Sequence, residues 1–521
     1  MNNAALDANG LHRSRLFAGA CLALFPTAFS FALVGGILGQ LKSEFILTNA
    51  DVGTIGGAVL WGMALSLIAI APFLEKVGLK FAAVGAFFGH LIGVTLLLAA
   101  YFYAGSPSGY WVLFLGAISL GIGNGLIEAT GNPMTAALFP ERKTVKLNHF
   151  HAFFPGGMVV GSLLGWVMFK IGSVGGIDLG HWTAHIAIIY IPIIGYGIML
   201  LPLKFPKTET AEAGVPVKEI LLYIITHPVV LLLIVIKMIT LSLELGPMRW
   251  IPDVLTNAGM DGMLVFAWLT GLMAVLRLFA GPLVERLAPT GILFCAALLT
   301  GSGLILFSLF ETGAFKLMFA ATVFAFGVAF FFPTMVGLMS ERFPKAGSVG
   351  IVLMIGMGMG ASGTLQGQMG GIADRYMPDA LDQQRTIEIL EQVEDRFPGY
   401  VAEAEAATGD LDAMAALGYR TQDAQTVYEN NAAALTYYRE NGELDGPLTG
   451  NALRALTSSG LPQEEALISE AGAILSPADN YGGRMAFRWV APVALIVALF
   501  FGLMFLRDRK QGGYKAVKLE S

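Results

Sequence analysis

Apolar runs long enough to cross a membrane recur twelve times along this chain of 521 residues, over approximately 16–40, 51–74, 80–104, 110–138, 147–170, 183–203, 228–252, 262–284, 290–311, 315–338, 347–371 and 486–506. At ~1.5 Å per helical residue, runs of this length cover the ~30 Å hydrocarbon core of a bilayer. Hydrocarbon offers no partner to a free backbone amide, so each run must close its hydrogen bonds within itself as a helix. A content of 55% hydrophobic and only 13% charged residues excludes a soluble globular domain. The chain therefore reads as an all-α polytopic membrane protein of twelve transmembrane helices. His12, Arg13 and Arg15 precede the first run, which lacks a small-residue cleavage site and reads as a retained span rather than a signal peptide. Cys21 and Cys295 both fall inside spans and imply no disulfide framework.

The spans divide into two sets of six. "APFLEKVGLK" after span 2 resembles "GPLVERLAPT" after span 8 at an offset of 210, and "FPERK" after span 4 answers "MSERF" after span 10. Paired repeats of this kind predict a site between the halves near the bilayer midplane. The expected organisation is an N-terminal half over 1–204, a cytoplasmic linker over 205–227 and spans 7 to 11 over 228–372. An inserted domain over 373–484, span 12 over 485–506 and a tail over 507–521 complete it. Lys76, Lys80, Lys146, Lys204, Lys218, Arg507 and Lys510 gather on one side, which places both termini in the cytoplasm and 373–484 outside a cytoplasmic (inner) membrane. The insertion carries twenty acidic residues against seven arginines and no lysine, a net charge of −13. Apolar residues spaced at three and four in "DALDQQRTIEILEQVEDRF" predict several short amphipathic helices there. Its acidity reads as a solvated surface, with an unknown basic partner or cation as the alternative.

Polar residues inside the spans are the functional signal. Asn124, Glu128 and Asn132 follow one another at intervals of four and share a helix face. A carboxylate at mid-span costs roughly 2.5–3.5 kcal/mol on insertion scales, so it is expected to face a cavity or a partner. His151, in the first turns of span 5, is a candidate donor or proton partner for that stripe. His149 and His151 point apart on a helix, and no second ligand group accompanies them, so a zinc site is rejected. In span 7, Lys237, Thr240 and Glu244 precede "GPMRW", whose Gly246-Pro247 is expected to break the helix beside the charge. Trp250 offers a ring to stack on a sugar, or an interfacial anchor. Arg277 in span 8 needs a mate, and Glu244 is the nearest candidate, as an ion pair or a gate. Gln366, near the outer end of a glycine-rich span 11, is a further cavity candidate.

The loops carrying Glu75-Lys76 and Glu285-Arg286 resemble the signature loops of the major facilitator superfamily, with Ala71 and Ala288 where glycines are expected. Within it, "LGIGNGLIEATGNPMTAALFPER" and the following "KLNHFHAFF" resemble the fucose/proton symporter family and its sodium-dependent glucose relatives. That resemblance implies a sugar transporter in which Glu128 takes part in proton coupling and sugar binding, and in which His151 stands at a cavity glutamine position. It also implies that Glu75, Lys76, Glu285 and Arg286 act in gating. The chain departs from the pattern at Gly35, where the family has an aspartate, and at Phe154, where it has an asparagine.

These readings converge on a monomeric secondary transporter that moves a sugar or similar small polar solute by alternating access. The coupling ion is H+ or Na+, and no cofactor, metal or nucleic acid is implied. A multidrug or metabolite exporter is the nearer alternative, and a receptor or scaffold acting through the insertion is the more distant one. An enzyme is excluded, since no phosphate-binding glycine loop, metal cluster or nucleophile arrangement is present.

Overall fold

The computed structural model describes residues 10–139, 143–207, 217–278, 281–406 and 424–515. Among them, eleven helices are long and apolar enough to cross a membrane, from Arg13–Gly36 to the paired helices within Pro462–Lys510. The shorter apolar helix Gly262–Arg277 stands at the place of the eighth span. Part of the expected linker is itself helical, over Val217–Thr226.

Prolines set where these helices bend or stop. A proline supplies no N–H and presses its ring on the carbonyl four residues earlier. In span 10, Pro333 acts on Ala329, and the span divides there into Ala314–Val328 and Phe331–Arg342. Span 7 behaves differently. The sequence led us to expect a break at Gly246-Pro247, yet Pro228–Asn257 is one helix that passes through both Pro247 and Pro252. Packed neighbours can re-satisfy backbone groups that a proline frees. Here Gln366 of span 11 packs on this stretch, its Nε2 donating to the Leu245 carbonyl at 3.3 Å, two residues beyond the Leu243 carbonyl that Pro247 frees.

The internal repeat is visible in the backbone. Gly78, in the loop after span 2, has φ 80° and ψ 158°. Ala288, 210 positions later in the loop after span 8, has φ 57° and ψ 161°. This region suits glycine and strains any residue with a Cβ, at a cost of order 1–3 kcal/mol. Replacing Ala288 with glycine is therefore expected to raise the thermal unfolding temperature of the purified protein in detergent, by the equivalent of about 1 kcal/mol. No change would mean that the loop has relaxed elsewhere.

The two halves meet through spans 2 and 11 and through spans 5 and 8. The backbones of Asn49–Ile70 and Gly347–Tyr376 approach so closely that a Cβ added at Gly57 would clash with the Gly363 carbonyl oxygen. Small residues permit this contact, and van der Waals packing then holds it where the surrounding lipid is equally apolar.

The insertion is helical: Gln383–Ala406, Ala424–Asn441 and Gly446–Ser459 precede Glu465–Val490. The last of these crosses the expected boundary at 484 and leads into Val493–Lys510, so span 12 begins as a helix of the insertion. Ile389, Val393, Phe397, Val427, Leu453 and Leu456 form an apolar core of its own. Two exposed ion pairs, Arg385 with Glu470 at 2.7 Å and Arg439 with Glu394 at 2.6 Å, lie outside that core.

Candidate functional site

Span 4, Pro107–Leu138, carries the polar stripe, and the structure divides it into two arrangements. Asn124 is spent on neighbouring helices. Its Oδ1 accepts from Thr27 Oγ1 at 2.8 Å and from His90 Nε2 at 2.9 Å, and His90 Nδ1 lies 2.9 Å from the Tyr196 hydroxyl. All four residues are buried, and together they fasten spans 1, 3, 4 and 6 to one another. Polar side chains that bond across helices serve this purpose in membranes.

Asn132 and Glu128 face elsewhere. Asn132 Nδ2 donates to Glu128 Oε2 at 2.7 Å, and His151 Nε2 stands 2.8 Å from Asn132 Oδ1. The amide oxygen accepts, so with this amide orientation His151 Nε2 carries the proton. The carboxylate, amide and imidazole therefore form a chain within the N-terminal half, in which Glu128 is buried and His151 half-buried. Among the described residues Glu128 makes no ion pair, and its carboxylate is held by a neutral amide.

Across the interface, Phe332 of span 10 joins that chain to the C-terminal half. Its ring centroid lies 5.7 Å from the His151 ring, and Lys237 Nζ stands over the same ring, 4.1 Å from its centroid. Lys237 is fully buried, and among the described residues its Nζ has no hydrogen-bond partner. Arg277 reaches Glu244 Oε1 at 3.1 Å through Nη2 and the Ala329 carbonyl at 2.8 Å through Nε. That carbonyl is the one Pro333 leaves free in span 10, so the arginine occupies the acceptor that the proline creates. Glu244 Oε2 is buried with no hydrogen-bond partner among the described residues, and Thr240 bonds back to the Lys237 carbonyl at 3.1 Å.

A third group lies where spans 1, 2, 7 and 11 meet. Trp250 is buried, and its Nε1 donates to the Gln366 carbonyl at 3.2 Å. It is therefore a packed interior residue rather than an interfacial anchor. Arg249, which sequence reasoning passed over, is buried beside it with Nη1 on the Phe31 carbonyl at 3.0 Å and its guanidinium 4.0 Å over the Phe31 ring. Arg249 Nε, Arg249 Nη2 and Gln366 Oε1 are buried with no hydrogen-bond partner among the described residues.

Of the expected gating residues, Lys76 and Arg286 are exposed, and the side chains of Glu75 and Glu285 lie outside the described residues. Sequence reasoning also missed His90, Tyr196 and Lys42. A lone histidine inside an apolar span is the signal that marks His90.

The interior thus presents Lys237, Arg249 and Arg277 against Glu128 and Glu244, distributed over both halves. Unpaired donors buried between two helical repeats suit a site that waits for a solute, since such groups are costly without a partner.

Comparison with known proteins agrees with this architecture. The chain is 25% identical over 191 residues to a gentisate transporter of Corynebacterium glutamicum, a match covering 37% of this chain and 40% of that protein. Its fold resembles a bacterial homolog of the human lysosomal transporter Spinster, at 13% identity and a TM-score of 0.62 over 98% of this chain and 99% of that one. It also resembles the xylose transporter XylE from E. coli, at 13% identity and a TM-score of 0.55 over 69% and 92% of the two chains. FucP from E. coli, a fucose:proton symporter, resembles it at 17% identity and a TM-score of 0.51 over the same shares. The sequence pattern of the Major Facilitator Superfamily matches residues 20–367. With eleven long apolar helices and one shorter one among the described residues, an internal repeat and polar groups gathered between the halves, the chain belongs to the Major Facilitator Superfamily, and it is a membrane transporter rather than an enzyme.

Proposed function

We propose that this protein is a proton-coupled secondary transporter of a small polar solute that carries an acidic group, such as a sugar acid or a hydroxylated carboxylate. The observation that carries the acidic group is Lys237, buried between the halves, whose Nζ has no hydrogen-bond partner among the described residues. Lys237 and Arg277 share the single carboxylate of Glu244, so a neutral sugar would leave one buried positive charge uncompensated, whereas a carboxylate supplies its counter-charge. The name of the gentisate transporter is in keeping with this reading, gentisate being a carboxylate. A neutral sugar is the second reading. It is favoured by the span 4 pattern and by Asn132, Gln366 and Trp250, which are groups that suit hydroxyls and rings.

In this mechanism the solute binds beside Phe332, with His151 and Asn132 on one side and Lys237 on the other. Glu128 takes and releases the coupling proton as the halves rock about the site. The protein lies in the cytoplasmic membrane with its termini inside and the insertion outside, as the distribution of lysine and arginine favours.

Replacing Lys237 with glutamine tests the acidic group. A hydrogen bond to a charged group is worth about 1.5–3 kcal/mol, so the variant is expected to lose about ten- to a hundredfold in apparent affinity for an acid. It should bind the corresponding neutral alcohol or amide no worse than wild type does. Equal loss for charged and neutral solutes would favour the sugar reading.

A further inference from the structure

The helix between spans 1 and 2, Leu38–Phe45, belongs to the N-terminal half, yet its Lys42 points into the other two bodies of the molecule. Nζ lies 2.8 Å from Asp253 at the end of span 7 and 3.4 Å from Asp479 in the insertion's last helix. It also donates to Asn49 Oδ1 at 3.1 Å. Burial alone would lower Lys42, but Asp253 and Asp479 outweigh it and hold the ammonium above the ordinary lysine value.

The contacts continue on both sides of that lysine. Arg454 of the insertion holds Asp479 Oδ1 at 2.6 Å, and Asn49 Nδ2 reaches the same oxygen at 3.1 Å. Asp374 of span 11 accepts from the Asn49 and Ala50 amides at 2.9 and 2.8 Å. Asn480 of the insertion donates to the Val254 carbonyl of span 7 at 2.9 Å. Lys42, Asn49, Asp253, Asp374, Arg454 and Asp479 are all buried.

An apolar contact runs in parallel. Ile46 packs against the insertion's hydrophobic core although it caps the 38–45 helix with φ 49°. A β-branched residue is strained there, and the contact it makes holds it in place.

We propose that the insertion is a latch that keeps the transport pathway closed at its own end of the bundle. Rocking of the two halves requires the mouth between Leu38–Phe45 and the end of span 7 to widen. Widening withdraws Lys42 from Asp253 and Asp479 together and pulls Ile46 out of the insertion's core. Because the insertion is rooted in spans 11 and 12, it moves with the C-terminal half, and Arg454 keeps Asp479 in position to recapture the lysine when the mouth closes. The latch thus biases the transporter toward the state closed on this side, and its strength sets how often that side opens. It acts whatever the solute.

The test measures opening directly. Spin labels at Val174, in the N-terminal half, and at Thr312, in the C-terminal half, both exposed at the insertion's end, report the width of the mouth in nanodiscs. Cys21 and Cys295 are replaced beforehand. With the latch intact, a single short-distance population is expected. Asp479→Asn, and separately Ile46→Gly, should raise the long-distance population at least about fivefold. Ile46→Gly relieves the backbone strain while removing the contact, so it reads the latch without depending on the buried charges. Arg385→Gln, which breaks only an exposed pair within the insertion, should leave the distances unchanged. Folded Asp479→Asn and Ile46→Gly proteins with the wild-type distance distribution would overturn the latch. So would an equal widening caused by Arg385→Gln.

Discussion

Glu128→Gln is expected to abolish accumulation of solute under an imposed proton gradient while leaving solute exchange in place. The glutamine retains an oxygen that can accept from Asn132 Nδ2, as Glu128 does at 2.7 Å, so the chain to His151 keeps its geometry. What it loses is a proton to give up. A two-unit pH gradient offers about 2.7 kcal/mol per proton, about a hundredfold accumulation at one proton per solute. The variant should fall to no accumulation at all, with counterflow exchange close to the wild-type rate. Loss of exchange and accumulation together would assign Glu128 to solute binding or folding. Wild-type accumulation would remove it from coupling.

The second large effect is expected at the Glu244–Arg277 pair. Removing one partner of a buried pair costs roughly 3–5 kcal/mol, because the other charge is left uncompensated. Here the two halves of the pair are not equivalent. Glu244 has a 3% exposed side chain and lies between two cations, Arg277 and Lys237, whereas Arg277 is 16% exposed and also holds the Ala329 carbonyl. Glu244→Gln strands two buried cations. Arg277→Gln leaves Lys237 to balance the glutamate. Thermal unfolding in detergent should therefore show a greater loss for Glu244→Gln than for Arg277→Gln. The double variant should recover part of the loss, as neighbours that share a partner do. Strictly additive losses would show that the pair contributes nothing as a pair.

The positions of the spans were legible because length and hydropathy alone decide what can cross a bilayer. The Glu244–Arg277 contact was legible for a related reason, since a buried charge needs a mate and two neighbouring helices offered one each. The division of the span 4 stripe was not. Asn124, Glu128 and Asn132 share a face, but the role of each depends on which neighbouring helix stands opposite. His90 and Thr27 meet Asn124, whereas His151 meets Asn132. Proline was equally dependent on its neighbours: Pro333 divides span 10, whereas Pro247 and Pro252 sit within one helix. Lys42 was hidden most deeply, because in sequence it is one more lysine beside a loop. Its partners Asp253 and Asp479 are 211 and 437 positions away.

The measurement that bears most directly on the account is uptake by the full-length protein in proteoliposomes. It uses a labelled panel of neutral sugars, sugar acids and hydroxylated aromatic acids, with a proton gradient and separately a sodium gradient. An acid-bearing solute is expected to accumulate under the proton gradient, and the neutral sugars are not. Movement of no panel member under either gradient, or accumulation of a neutral sugar in preference to its acid, would contradict it.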